Sequence, residues 1–197
     1  MTTRGLPLVS HLLFTDGSVN PEQRLGVGAC LLLPASFLAD SAGEIDRSEL
    51  TRGCLYRRFS DTSSTELELQ TLLWGLSIYR EQVVPADCGG LRLYSDSQCI
   101  TGLAGRRERL EVQGFSAARS GKILANAPLY RAFFAASDEL GFEVVKLVGH
   151  CRKADRDKVQ QIFAVVDQYA RRELGHWLGE ARAVGNSSDV EIATRFH

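Results

Sequence analysis

Hydrophobic and polar residues are arranged along the chain in blocks that predict an ordered series of strands and helices. Short apolar runs bounded by turn residues are typical of strands, whereas apolar positions three or four residues apart predict helices. The predicted strands are Leu8–Thr15, Leu25–Leu33, Leu50–Phe59, Leu91–Tyr94 and Phe142–Val148. The predicted helices run from Ser63 or Ser64 to about Arg80, from Asp96 or Ser97 to about Ala104, from Pro128 to about Leu140, and from Asp155 to Leu174.

The order of these elements, βββαβααβα, predicts an α/β fold with a mixed five-stranded sheet and helices on both faces. Three consecutive strands favour an antiparallel meander, and the later strand–helix–strand units favour parallel additions. Residues Pro34 to Glu49 are expected to form a polar loop, and Asp16-Gly17 a turn that ends the first strand. We expect one domain over residues 1–174 and a peripheral C-terminal tail over residues 175–197.

Composition and charge indicate the cellular compartment of the protein and the way in which it could bind a nucleic acid. The 197 residues carry a formal net charge of -1, so nucleic-acid binding would need a local basic patch. The segment Gly105–Arg131 supplies one, with six basic residues against two acidic ones. Five cysteines without a C-x-x-C pair indicate free thiols in a reducing compartment. No apolar run approaches the roughly 20 residues of a membrane span, and no secretory signal is recognisable, so a cytoplasmic protein is expected.

Two aspartates follow apolar strands, which are rigid platforms for a site. Asp16 comes after Leu12-Leu13-Phe14-Thr15, and Asp96 comes after Leu93-Tyr94-Ser95. Either aspartate alone would read as a turn residue or a helix cap. Together they favour a shared site, where clustered carboxylates repel one another unless a cation holds them. Oxygen ligands of this kind suit Mg²⁺ or Mn²⁺.

Several segments, in order, resemble type 1 ribonuclease H. Each motif is weak alone, and the signal lies in their joint order and spacing. The matching segments are FTDGSVNP…LGVGACLLL (14–33), SSTELELQTLLWGL (63–76), YSDSQCI (94–100), KILANAPLY (122–130), VKLVGH (145–150) and DQYARREL (167–174). The resemblance implies a ribonuclease H-like fold and an enzyme that hydrolyses the RNA strand of RNA–DNA hybrids. It also implies a two-metal mechanism that leaves 5′-phosphate and 3′-hydroxyl ends.

The resemblance further implies the site. Asp16, Glu68, Asp96 and Asp167 would hold two Mg²⁺ ions, with Mn²⁺ as an alternative metal, and His150 would assist proton transfer or product release. Glu66 remains an alternative to Glu68 as the second carboxylate. Asp157 remains an alternative to Asp167, because Asp167 lies seventeen positions beyond His150 where the family expects about ten.

Substrate contacts are implied in two groups. Polar side chains that would read the 2′-hydroxyl of RNA are Asn20, Ser64, Thr65 and Gln98, and basic ones that would contact phosphates include Arg119 and Lys122. Ser64 and Thr65 stand where the family often has Asn. Two other functions remain open: a non-catalytic nucleic-acid-binding module of the same fold, and a related nuclease that acts on another nucleic acid.

Overall fold

The chain folds around one five-stranded mixed sheet. The computed structural model describes residues 8–39, 45–83, 89–147 and 156–193. The strands are β1 (Val9–Asn20), β2 (Leu25–Pro34), β3 (Leu55–Phe59), β4 (Gly90–Ser95) and β5 (Glu143–Lys146), in the spatial order β3-β2-β1-β4-β5. The pairs β1–β2 and β2–β3 are antiparallel, whereas β1–β4 and β4–β5 are parallel. The predicted mixed sheet is therefore confirmed, together with its meander and its parallel additions.

Helices cover both faces of this sheet. They are α1 (Ser36–Ala39), α2 (Arg47–Gly53), α3 (Ser64–Gln82), α4 (Gln98–Thr101), a 3₁₀ turn (Ala104–Arg106), α5 (Arg107–Val112), α6 (Ala127–Leu140) and α7 (Lys158–Ala193). Within the described ranges, no helix combines the length and the hydropathy that a bilayer-spanning segment requires.

The core lies in two layers because side chains alternate along a strand. Leu13 of β1 belongs to the layer that contains Leu72 of α3 and Phe133 of α6. Its neighbour Phe14 belongs to the other layer, together with Val166 of α7. Helices α3 and α6 therefore cover one face of the sheet and α7 covers the other.

Close packing fixes α3 against β1 and β2. A Cβ atom built on Gly28 would lie 2.0 Å from Oγ1 of Thr71, and one built on Gly17 would lie 3.0 Å from the Leu67 side chain. The two glycines face each other in the β1–β2 pair. Only residues without a side chain allow the helix to approach so closely, and α3 carries both candidate glutamates.

Two predictions for the segment that precedes β3 were wrong. The segment Pro34–Glu49 is not one loop, because α1 lies within it and α2 begins at Arg47. Asp46 caps α2 by accepting hydrogen bonds from the backbone N–H groups of Ser48 and Glu49. The third strand consequently begins at Leu55 rather than Leu50.

The first strand also does not end at Asp16-Gly17. It continues to Asn20, with Asp16 opposite Ala29 and Gly17 opposite Gly28, and the turn follows over residues 21–24. The pairing with β2 outweighs the local turn preference of an Asp-Gly pair. Asp16 is thus held within a strand.

The last helix passes through Gly175 without interruption and continues to Ala193. Two residues that follow this glycine contact Arg58 of β3. The Arg58 guanidinium lies 5.3 Å from the centre of the Trp177 ring and forms an ion pair with Glu180. The start of the expected tail is therefore helical and contacts the sheet edge. The division into a domain over 1–174 and a tail over 175–197 stays a prediction.

Candidate active site

The candidate site lies where β1 and β4 separate. Their parallel pairing ends at Phe14 opposite Tyr94, whose rings stack with centroids 4.7 Å apart. Asp16, which is still in β1, and Asp96, which directly follows β4, each come two residues later, so the parallel register directs both to the same place beyond the last paired residues. The crevice just outside the carboxyl end of a parallel strand is a common place for ligands in α/β sheets.

A narrow crevice at this point contains three of the predicted carboxylates. Its lining residues are Thr15, Asp16, Glu68, Ser95, Asp96 and Ile100. Helix α3 supplies Glu68, whose Oε2 accepts a hydrogen bond from the Ser97 hydroxyl. Glu66, the alternative, lies outside this lining, and its Oε1 is 3.5 Å from Nε2 of Gln70 on the same helix. The geometry therefore favours Glu68 over Glu66.

The second open choice concerns α7. The side chain of Asp167 lies within hydrogen-bonding reach of Asp16. Asp157 instead stands at the beginning of α7, where its Oδ1 accepts from the N–H of Gln160 at 2.8 Å and its own N–H donates to Oε1 of Gln160 at 3.1 Å. That reciprocal pair is a capping box. Asp167 thus joins the carboxylate cluster, and Asp157 acts as a helix cap.

Negative charge is concentrated around Asp16. Its pKa is raised well above the usual value for a carboxyl group, first by burial and then by the nearby charges of Asp96 and Asp167. A hydrogen bond from the N–H of Gly17 opposes this effect only in part. A cation placed here would relieve both the repulsion and the cost of burial.

One protein cation already contacts the cluster. Nε of Arg171 lies 2.7 Å from Oδ1 of Asp167, one turn earlier on α7. The pKa of Arg171 is raised chiefly by this hydrogen bond, with further contributions from Asp16 and Asp96. The guanidinium is two-thirds exposed, so it stands at the solvent side of the cluster.

The carboxylates are not arranged as a complete metal-binding site. Within the described ranges, no set of three or more His, Cys, Asp or Glu side chains is gathered closely enough to hold a metal ion. Glu68 is engaged by Ser97 and Asp167 by Arg171. The Thr15 hydroxyl in the crevice wall is buried and has no hydrogen-bond partner among the described residues.

None of the four residues predicted to contact the 2′-hydroxyl belongs to the crevice lining, but three of them stand at the starts of α3 and α4. Gln98 is exposed at the start of α4, and Ser64 and Thr65 begin α3, about one turn before Glu68. Asn20 ends β1, where its Oδ1 accepts from the N–H of Gln23 at 2.9 Å.

Arg119 and Lys122 are exposed between α5 and α6. His150 lies outside the described residues, so its role stays a prediction.

Two residues that contact these carboxylates, Ser97 and Arg171, were not predicted from the sequence to do so. The pattern predicted Ser97 as a possible cap of the helix after Asp96, but not its contact with Glu68, which depends on how α3 packs. Arg171 lies within the matched segment 167–174, but no role was predicted for it. Its spacing of four residues from Asp167 on a predicted helix was the available signal.

Strand order, register and helix placement together define a ribonuclease H-like fold. A search against protein-family models finds no match, and neither does a search of the curated proteins. Solved structures do match. One is the foamy viral protease-reverse transcriptase in complex with dsDNA, at a TM-score of 0.60 and 11% identity over 85% of this chain and 97% of that chain.

Two further structures agree with it. The PFV RNase H domain matches at a TM-score of 0.59 and 11% identity, over 84% of this chain and 94% of that domain. The foamy viral protease-reverse transcriptase in complex with RNA/DNA hybrid matches at 0.59 and 10% identity, over 87% of this chain and 21% of that one. The structural similarity establishes the fold, but at identities this low it does not establish the activity.

Proposed function

We propose that this protein is a metal-dependent nuclease that hydrolyses the RNA strand of RNA–DNA hybrids. The observation that carries the proposal is the placement of Asp16 and Asp96 at matching positions where β1 and β4 separate, with Glu68 and Asp167 brought to them from opposite faces of the sheet. A ribonuclease H-like fold alone is compatible with many functions, so it is these four side chains that favour nuclease activity.

The donor chemistry fits Mg²⁺, with Mn²⁺ as an alternative. All four groups offer carboxylate oxygens, which are the ligands of hard divalent cations. The pKa of Asp16 is raised first by burial and then by the negative charges of Asp96 and Asp167, and such an ion would offset both effects. We infer that Asp16, Glu68, Asp96 and Asp167 would hold two ions, as the resemblance implies. Bound there, the metal would supply charge neutralisation at the scissile phosphate and an activated water.

The chain itself would position the reaction. β1, the end of β4, α3 and α7 are anchored in the buried core and hold the carboxylates near one another. The ion pair between Asp167 and Arg171 would have to open for a metal ion to bind Asp167. Gln98, Ser64 and Thr65 stand at the starts of α4 and α3 and would contact the sugar edge of the RNA. His150 would assist proton transfer or product release. The expected products carry 5′-phosphate and 3′-hydroxyl ends.

Binding of the hybrid would rely on local positive charge, because the protein as a whole has a net charge of -1. Arg119 and Lys122 lie exposed on the turn between α5 and α6 and would contact phosphates. Contacts of this kind make affinity fall steeply with salt and carry no sequence preference.

A second function has a specific observation in its favour. Within the described residues, the carboxylates are not gathered into a set of three metal ligands, and Asp167 is held in an ion pair with Arg171. A non-catalytic module that binds hybrids or RNA would show this arrangement. A nuclease that prefers another nucleic acid is the third candidate, and substrate comparison separates it from the first.

The test compares the wild-type protein with an Asp96→Asn variant, which keeps the shape of the side chain and removes its charge. Both proteins are incubated with an RNA–DNA hybrid, an all-DNA duplex and an all-RNA duplex of the same sequence, in Mg²⁺ or in EDTA. We expect cleavage of the hybrid's RNA strand only by the wild-type protein in Mg²⁺. Folded wild-type protein that binds the hybrid and leaves it intact would favour the binding module, and cleavage of the all-DNA duplex would favour the third candidate.

A further inference from the structure

One buried serine joins the segment that carries Asp96 to the Glu68 carboxylate of α3. Ser97 follows Asp96 directly in the chain and is only 5% exposed. Its hydroxyl donates to Oε2 of Glu68 on α3. The same oxygen caps α4 by accepting from the N–H of Ile100 at 3.3 Å, and the N–H of Ser97 donates to Oγ of Ser95 at 3.2 Å.

These contacts leave the hydroxyl only one direction for its proton. A serine hydroxyl has a single proton and two lone pairs. The N–H of Ile100 occupies a lone pair, so the proton is directed to the Glu68 carboxylate. Because the backbone on both sides of Ser97 is fixed by hydrogen bonds, the hydroxyl is a rigid donor and not a rotating surface group. Glutamate has several rotatable bonds, and this donor selects among its conformers.

We propose that Ser97 is a positioning residue that holds the Glu68 carboxylate in the orientation needed to bind a divalent cation together with Asp96. The inference rests on the proposed function and deepens it. Ser97 would act through Glu68 and would not contact the metal or the nucleic acid. Partners that orient a metal-binding side chain in this way usually contribute 10–100-fold to metal affinity or activity.

The experiment measures Mg²⁺ binding to the full-length protein by calorimetry without nucleic acid, so the result does not depend on turnover. We expect Ser97→Ala to weaken Mg²⁺ binding by about 10–100-fold and Ser97→Thr, which keeps the hydroxyl, to restore most of it. Ser97→Gly serves as a second variant without the hydroxyl, because glycine is tolerated at a helix cap far better than alanine.

A double-mutant cycle separates positioning from a merely structural role. If Ser97 acts through Glu68, then Ser97→Ala should have almost no further effect on Mg²⁺ affinity in a Glu68→Gln background. A general disturbance of α4 would weaken binding equally in both backgrounds. Thr101→Val is the matched control, since the Thr101 hydroxyl donates to the Ser97 carbonyl at 2.9 Å and leaves the Ser97 hydroxyl untouched.

The outcomes are distinct. Unchanged or tighter Mg²⁺ binding by both Ser97→Ala and Ser97→Gly, in proteins that melt as the wild type does in EDTA, would overturn the positioning role. An equal loss with Thr101→Val, or with Ser97→Ala in the Glu68→Gln background, would overturn it as well. Absence of Mg²⁺ and Mn²⁺ binding by the wild-type protein would instead refute the proposed function, and the inference with it.

Discussion

Replacing Gly28 by alanine should separate α3 from the sheet. The added Cβ would lie 2.0 Å from Oγ1 and 2.8 Å from Cβ of Thr71, a residue with no exposed surface. Rotation of the Thr71 side chain cannot relieve the second contact, because that atom is attached to the helix backbone. The helix or the strand must therefore shift. Overpacking of this kind costs about 1–3 kcal/mol, which corresponds to a melting temperature lower by about 2–12 °C for a chain of this size.

The displacement should also reduce activity. Glu68 lies one turn before Thr71 on the same face of α3, so a shift that accommodates the new methyl group moves the carboxylate as well. A misplacement of about 1 Å can cost 10²-fold in rate, and we expect at least a tenfold loss of hybrid cleavage at a temperature where the variant is fully folded.

The assay pairs thermal melts in EDTA with cleavage rates at 20 °C. Gly105→Ala is the matched control, because a Cβ at Gly105 would meet no atom within 4 Å. We expect that variant to match the wild type in both measurements. A Gly28→Ala protein that melts within one degree of the wild type and cleaves at the same rate would refute the reasoning about close packing.

Three further predictions concern the carboxylate cluster. In EDTA, Asp16→Asn should raise the melting temperature at pH 7 but not at pH 4. The pKa of Asp16 is raised in the folded protein, so ionising this carboxyl costs the wild-type fold stability as the pH rises above about 3.9, the pKa of an aspartate in the unfolded chain. A variant less stable than the wild type at pH 7 would contradict this. Arg171→Gln should tighten Mg²⁺ binding by about two- to fivefold in calorimetry, since an exposed ion pair of at most about 1 kcal/mol no longer competes for Asp167; weaker binding would argue against that competition. Asp167→Asn should abolish cleavage whereas Asp157→Asn should retain it, because asparagine also caps helices; the reverse pattern in a cleavage assay would move the fourth carboxylate to Asp157.

Much of the fold could be predicted because the spacing of hydrophobic residues in the sequence matches the faces of the strands and helices that are buried. Leu69, Leu72 and Leu76 repeat at helical spacing, and all three are buried on α3. The prediction failed where pairing overrode local preference. Asp16-Gly17 reads as a turn, but the ladder with Ala29 and Gly28 extends the strand. Likewise, α2 depends on the cap by Asp46 and on burial of Leu50, which a polar segment does not reveal.

Part of the site could be predicted because Asp16 and Asp96 each follow an apolar strand segment and because the motifs occur in the expected order. Asp16 and Asp96 meet because parallel strands in register must place them together. The choices between Glu66 and Glu68 and between Asp157 and Asp167 depend on helix rotation and on helix start, which periodicity alone does not fix. The contacts of Ser97 and Arg171 with the carboxylates required the packing of α3, α4 and α7.

Hydrolysis of a hybrid is the most direct test of the central claim. An RNA strand labelled at its 5′ end is annealed to DNA and incubated with the full-length protein in Mg²⁺, and the fragments are separated and their new ends analysed. We expect internal cuts in the RNA, with 3′-hydroxyl and 5′-phosphate ends, an intact DNA strand, and no cutting in EDTA. An intact RNA strand in both Mg²⁺ and Mn²⁺, with folded protein bound to the hybrid, would contradict it.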